Sequence, residues 1–143
     1  MEGGEVAYPP LVHYHSKEEY RTHFHDKYCR NPIRTHDGIE VRFRKQQFDH
    51  CFAETVKNKD DTFSEDRATR IDWIEAALKD PQAEHRVGWD NSKKCLAHNR
   101  RVAIVVQNYV VIIRIKPKGD AVFVTAYVAT NGTIGRIRRG PLW

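Results

Sequence analysis

Helical periodicity dominates the first half of the chain, and strand alternation takes over after Pro81. Tyr20, Phe24 and Tyr28 recur every four positions, which puts one aromatic stripe on a helix. Ser16 followed three residues later by Glu19 has the spacing of a capping box and sets the start of that helix. Asn31-Pro32 ends it, because the residue before a proline avoids the helical region. Over residues 33–44 the period drops to two. Ile33, Thr35, Ile39, Val41 and Phe43 fall on one face and Arg34, Glu40, Arg42 and Arg44 on the other. Asp37-Gly38 between them is a turn dipeptide, so a small β-hairpin is predicted. Two further helices follow. Phe48, Cys51 and Phe52, extended by Val56, make the apolar stripe of the first. The second begins at an N-cap, Ser64, and runs to Lys79, where Asp80-Pro81 stops it. Ala68, Ile71, Ile74 and Leu78 are its core face, and Glu65 and Asp66 suit the dipole of its first turn.

Strands are predicted at 84–90, 93–98, 101–106, 109–115 and 121–128. Gln107-Asn108 turns one hairpin and Lys118-Gly119-Asp120 the next. In 121–128, Val122, Val124, Ala126 and Val128 should point one way and Phe123, Thr125 and Tyr127 the other. Both sets are bulky, which implies cover on both faces or a face that holds a polar site. Residues 1–15 read as a loose lead-in, and 130–143 as a Gly-rich basic tail. The pattern predicts a single α+β domain over 16–143, with N-terminal helices packed on a four- to five-stranded, mainly antiparallel sheet.

Length and composition narrow the classes. A chain of 143 residues, 40% apolar and 30% charged, suits one globular domain and excludes collagen-like and disordered types. No run approaches 18 apolar residues, the start lacks the features of a signal peptide, and the three cysteines form no Cys-x-x-Cys. A soluble, cytoplasmic protein with no membrane partner is expected. Charge changes the picture more. Residues 86–143 hold 11 Lys or Arg and 2 acids, for +9, while residues 1–85 hold 13 and 17, for −4, together the net +5. A basic, strand-rich portion is a footprint for a polyanion, although a solvated face would look the same.

Candidate chemistry is sparse. His13/His15 and His23/His25 do not supply four converging ligands: on a helix the second pair lies about 200° apart. No metal and no cofactor are expected. His50 lies on the flank of its helix, where Glu54 would be its neighbour one turn on, an arrangement open to acid–base work or to an ordinary surface role. Arg67 and Arg70 open the next helix; Arg67 extends the core stripe to its rim, where it can brace a phosphate or pair with Glu65 or Asp66. Tyr109, Arg114, Thr125 and Tyr127 come from adjacent strands and could form a phosphate cradle with stacking rings. Walker, dinucleotide, nucleophile-elbow and His-Glu-x-x-His motifs do not occur.

The ordered set IRTHDGIEVRF, FDHCF, FSEDRATRIDWIEAALKDP, NYVVIIRI, VFVTAYV and IGRIRRGPLW resembles the Barnase–EndoU–colicin–RelE superfamily of metal-independent ribonucleases, most closely its phage- and mobile-element-associated branch. The resemblance covers about residues 33–143. It implies helices on a four-stranded antiparallel sheet whose open face cuts RNA by attack of the 2′-hydroxyl. Carried over by position, His50 takes the acid–base role, Arg67 and Arg70 clamp the phosphate, Thr125 hydrogen-bonds it, and Tyr127 serves as acid or stacking ring. Arg44, Lys93, Lys94, Tyr109, Arg114, Arg136 and Arg138 would contact the nucleic acid. RNA is the implied partner, with an acidic inhibitor or antitoxin protein as a second. The competing readings are a non-catalytic RNA- or DNA-binding module on the same basic sheet, and a protein-interaction domain.

Overall fold

The first helix, α1 (Lys17–Phe24), starts where the capping pattern places it. The Ser16 hydroxyl accepts from the Glu19 N–H at 3.3 Å, and the Glu19 carboxylate accepts from the Ser16 hydroxyl and the His15 N–H. An α-helix drifts by about 40° over four residues, so Tyr20, Phe24 and Tyr28 would not stay on one line. The chain meets this with a wider π turn over His25–Cys29, which reverses the drift, and all three rings are buried. The computed structural model describes residues 8–54, 57, 58, 62–87, 89, 90, 95, 96 and 101–142. The predicted positions Val56, Lys93 and Lys94 lie outside them.

The hairpin forms as β1 (Ile33–Arg34) and β2 (Glu40–Arg42), with Gly38 at φ 91° in the turn. Helix α2 (Gln47–Cys51) is short, and a two-stranded ribbon of β3 (Ala53–Glu54) and β4 (Thr62–Phe63) replaces its expected continuation. Ser64 caps α3 (Glu65–Ala68) as expected, but the segment from 64 to 79 is two helices, with α4 (Trp73–Lys79) after a break. The carbonyls in the break are taken by tertiary donors. Thr69 accepts from the Val12 N–H at 2.8 Å, Arg70 from the Tyr109 hydroxyl at 3.4 Å and Ile71 from the Tyr28 hydroxyl at 2.6 Å. The Thr69 hydroxyl also donates back to the Asp66 carbonyl, a contact that bends helices.

The strands are β5 (Glu84–Val87), β6 (Trp89–Asp90), β7 (Cys95–Leu96), β8 (Arg101–Val106), β9 (Tyr109–Ile115) and β10 (Ala121–Val128). The last three match the predicted spans, and Gln107 takes the left-handed conformation, φ 55°, at the tight turn. The main sheet has six strands in the order β1-β2-β10-β9-β8-β5. The expected four to five strands become six because the 33–44 hairpin joins the sheet, its β2 pairing parallel to β10, while β6 and β7 form a ribbon of their own. All other pairings are antiparallel. The Gly-rich tail is also helical: α5 (Asn131–Arg138) is capped by the Thr130 hydroxyl. It turns Ile134 and Ile137 onto a second apolar cluster of Ala103, Val105, Val110 and Ile112. Both sheet faces are therefore covered, and a helix, not the sheet, comes last.

Phe24 is the hub of the main core. Its ring lies 5.6–6.3 Å from those of Tyr28, Phe43, Phe48, Phe52 and Phe123, so α1, α2, β10 and the residue after β2 meet on one side chain. The sheet curls around this helical layer until its edges approach. β1 and β5 are opposite edges, yet the rings of His36 and His85 are 5.3 Å apart, and the His36 N–H reaches the Leu78 carbonyl of α4.

A polar tether ties the break to the first helical layer. The Asp72 carboxylate, 20% exposed, accepts from Lys27 at 2.8 Å and sits 2.7 Å from His23 Nε2. Burial pushes its carboxyl up, but Lys27 and His23 outweigh that and hold it below the ordinary range. Asp72→Asn is expected to cost about 1–2 kcal/mol at pH 7. A depressed carboxyl stabilises the fold above its unfolded value, about 3.9, and loses that contribution as pH falls through the folded value. Urea midpoints of wild type and variant should therefore separate at pH 7 and converge near pH 2.5; a gap that persists in acid contradicts this assignment.

Candidate functional site

β2 pairs with β10 only at Ala121 and Val122. Past that point the register of β10 against β9 shifts between Phe123 and Thr125, and α2 takes the place of a neighbouring strand. The Gln47 side chain donates to the Phe123 carbonyl, and the Cys51 thiol to the Ala126 carbonyl at 3.5 Å. The bulge also corrects the expected alternation. Phe123, Ala126 and Val128 all face the main core, whereas Val124 and Tyr127 face the α5 side. An extra residue in one strand exchanges the faces of everything after it.

The open edge of β10 gathers the chemistry. His50 is exposed on α2, one residue before Cys51. α2 ends at Cys51 and Glu54 lies on β3, so a helical turn does not link the two residues. The Cys51 thiol is buried, hydrogen-bonded by Thr125, and pushed up to about 12 by burial, so it stays protonated and is no nucleophile.

Arg67 reaches this edge from the first turn of α3. Its guanidinium donates to the Cys51 carbonyl at 3.3 Å and the Ala53 carbonyl at 2.5 Å, and lies 5.9 Å over the Tyr127 ring. Among the described residues both bonds use Nη1, which leaves the Nε–Nη2 edge of the fork for two parallel bonds to an anion. Tyr127 is half-buried. Burial raises its phenol, against the pull of Arg67 and Arg136, so it remains a proton donor at neutral pH. Arg136, exposed on α5, brings a second cation toward the same ring.

Other predicted residues stand elsewhere. Arg70 donates to the Asp66 carbonyl and lies 5.4 Å over the Trp73 ring, because the chain leaves helical geometry after Ala68; it forms no clamp with Arg67. Tyr109 is 1% exposed with its hydroxyl on the Arg70 carbonyl, so it is a core ring and cannot stack a base. Arg138 pairs with Glu84 at 3.0 Å. Arg44 is exposed between β2 and α2, and Arg114 is half-buried on β9. Sequence reasoning missed Gln47, whose neighbouring Gln46 and Lys45 offered no sign that it would cap a strand.

Metal-binding potential lies away from the His-x-His pairs. Both ring nitrogens of His23 are engaged, by Tyr14 and Asp72, and His13 and His15 are exposed. His36, Asp37 and His85, which sequence reasoning passed over, bring one donor atom each within 4.8 Å of one another. A groove of about 630 Å³ along α1, lined by Glu18, Glu19, Asp26 and others, shares no residue with the β10 edge, and its carboxylates would repel a polyanion. Among the described residues no helix is long and apolar enough to cross a membrane. No known protein family, curated protein or solved structure matches this chain.

Proposed function

We propose that the chain is a metal-independent endoribonuclease of the Barnase–EndoU–colicin–RelE type, acting at the open edge of β10. The observation that carries this reading is the Arg67 guanidinium, fixed on the Cys51 and Ala53 carbonyls beside the Tyr127 ring, next to the turn of α2 that bears His50. In this reading His50 removes the proton from an RNA 2′-hydroxyl, and the oxygen attacks the adjacent phosphorus. The free edge of Arg67, with Arg136, stabilises the charge that builds on the phosphoryl oxygens. In the same reading the Tyr127 phenol, kept protonated by burial, donates to the departing 5′-oxygen. Thr125, half-buried on β10 beside the Cys51 sulfur, hydrogen-bonds the phosphate in this reading. Arg70 and Tyr109 have no part in the site. A cytoplasmic setting and an acidic inhibitor protein belong to the same proposal.

The test is incubation of the full chain with RNA in excess chelator. Products ending in 2′,3′-cyclic phosphate, with DNA left intact, are expected. Retention of RNA without cleavage would replace the enzyme with a binding module. Arg67→Lys keeps the charge but loses the planar fork, and kcat/KM for RNA should fall about ten- to a hundredfold. The thermal midpoint of the same variant reports the loss of the Cys51 and Ala53 hydrogen bonds separately. Unchanged kcat/KM removes Arg67 from the site.

A further inference from the structure

The curl of the sheet creates a second constellation, remote in sequence from the β10 edge. His36 and Asp37 occupy the turn between β1 and β2, and His85 lies on β5, the opposite edge strand. Two imidazoles and a carboxylate, one donor each, lie within 4.8 Å of one another. Tetrahedral coordination at bonds of about 2.0–2.1 Å needs donors about 3.3 Å apart. Rotation of His36 and Asp37, both exposed on the turn, can supply that contraction.

Two further features fit a cation. Among the described residues His85 Nε2 is buried without a hydrogen-bond partner, a costly state for a polar atom that ligation at this cluster can relieve. The Asp37 carboxylate is already oriented. Thr35 Oγ1 donates to its Oδ1 at 2.5 Å while accepting from the Ile39 N–H at 2.8 Å, which leaves Oδ2 for a metal.

We propose that His36, Asp37 and His85 form a binding site for a zinc-class divalent cation, with water as the fourth ligand, that fastens the two edges of the sheet to each other. Nitrogen-rich donors with one carboxylate select zinc and its transition-metal neighbours over calcium or magnesium. The site acts as a clasp: the hairpin turn and β5 touch through these side chains, and α4 lies beneath through the His36 N–H to Leu78 bond. It is independent of the ribonuclease reading, because none of its residues belongs to the β10 edge.

The full chain, stripped with chelator and desalted, is titrated with Zn²⁺ against a chromophoric competitor, and Co²⁺ is added to a parallel sample. One equivalent of zinc is expected to bind. At a hundredfold excess over Kd the thermal midpoint should rise by about 5–10 °C. Cobalt should give the intense visible absorption of a tetrahedral site. His36→Gln, on an exposed turn that tolerates substitution, should lose the cobalt spectrum and weaken zinc at least tenfold; His85→Gln should do the same. No stoichiometric zinc, or equal zinc binding by wild type and His36→Gln, overturns the proposal, the second result placing the metal on other histidines. Neither readout depends on RNA cleavage.

Discussion

His50→Ala is expected to lower RNA cleavage by about 10²–10⁴-fold, the range that a positioned acid–base group contributes. The fold should scarcely notice. His50 is exposed at the end of α2, while its neighbours Phe48 and Cys51 carry the packing, and surface substitutions of this kind usually stay within about 0.5 kcal/mol. Single-turnover cleavage of a labelled RNA, with the thermal midpoint measured on the same sample, separates the two effects. Cleavage equal to wild type would move the acid–base role off α2, and a collapse of the midpoint would show that the residue is structural. The contrast with Cys51 is instructive. The two side chains are adjacent, but one is exposed and the other is a buried thiol pushed up to about 12, so the thiol stays protonated and cannot serve as the base.

Phe24→Ala should cost about 3–5 kcal/mol, the price of a large ring removed from a packed interior. Against total stabilities of about 5–15 kcal/mol, that loss brings the protein close to unfolding at 37 °C. The size follows from position. Five other rings lie within 6.3 Å of Phe24, and they come from the π turn, the residue after β2, α2 and β10, so no single neighbour can move in to fill the space. Urea denaturation of the variant gives the figure directly. A loss under about 1 kcal/mol would mean that the layer collapses around the gap, and that the aromatic cluster is less tightly interlocked than its geometry indicates.

What the sequence made legible was local chemistry. Ser16 and Ser64 cap their helices, Asp37-Gly38 turns its hairpin, and the spans 101–106, 109–115 and 121–128 are set by alternation and by Gln107-Asn108. What it hid was decided by distant partners. At the break after Ala68, Val12 and Tyr28 take the Thr69 and Ile71 carbonyls, which a continuous helix would have used. The helix over 131–138 carries two glycines against it, and it forms because Ile134 and Ile137 find an uncovered sheet face. At the candidate site His50, Arg67 and Tyr127 were legible as residues, but their relation was not. A single bulge after Phe123 turns Tyr127 to the opposite face from Phe123, and α2 ends before Glu54, which lies on β3. His36 and His85 were invisible as a pair because only the curl of six strands brings them together.

The parallel contact between β2 and β10 joins residue 41 to residue 121. On a ribosome β2 must therefore wait, paired with β1 alone, until β10 has been synthesised and has left the exit tunnel. Closing so long a loop is slow compared with hairpin or helix formation. The surface that would cut RNA is built on that late strand. Under the proposed reading, the ribonuclease surface would be complete only once this late strand has joined β2.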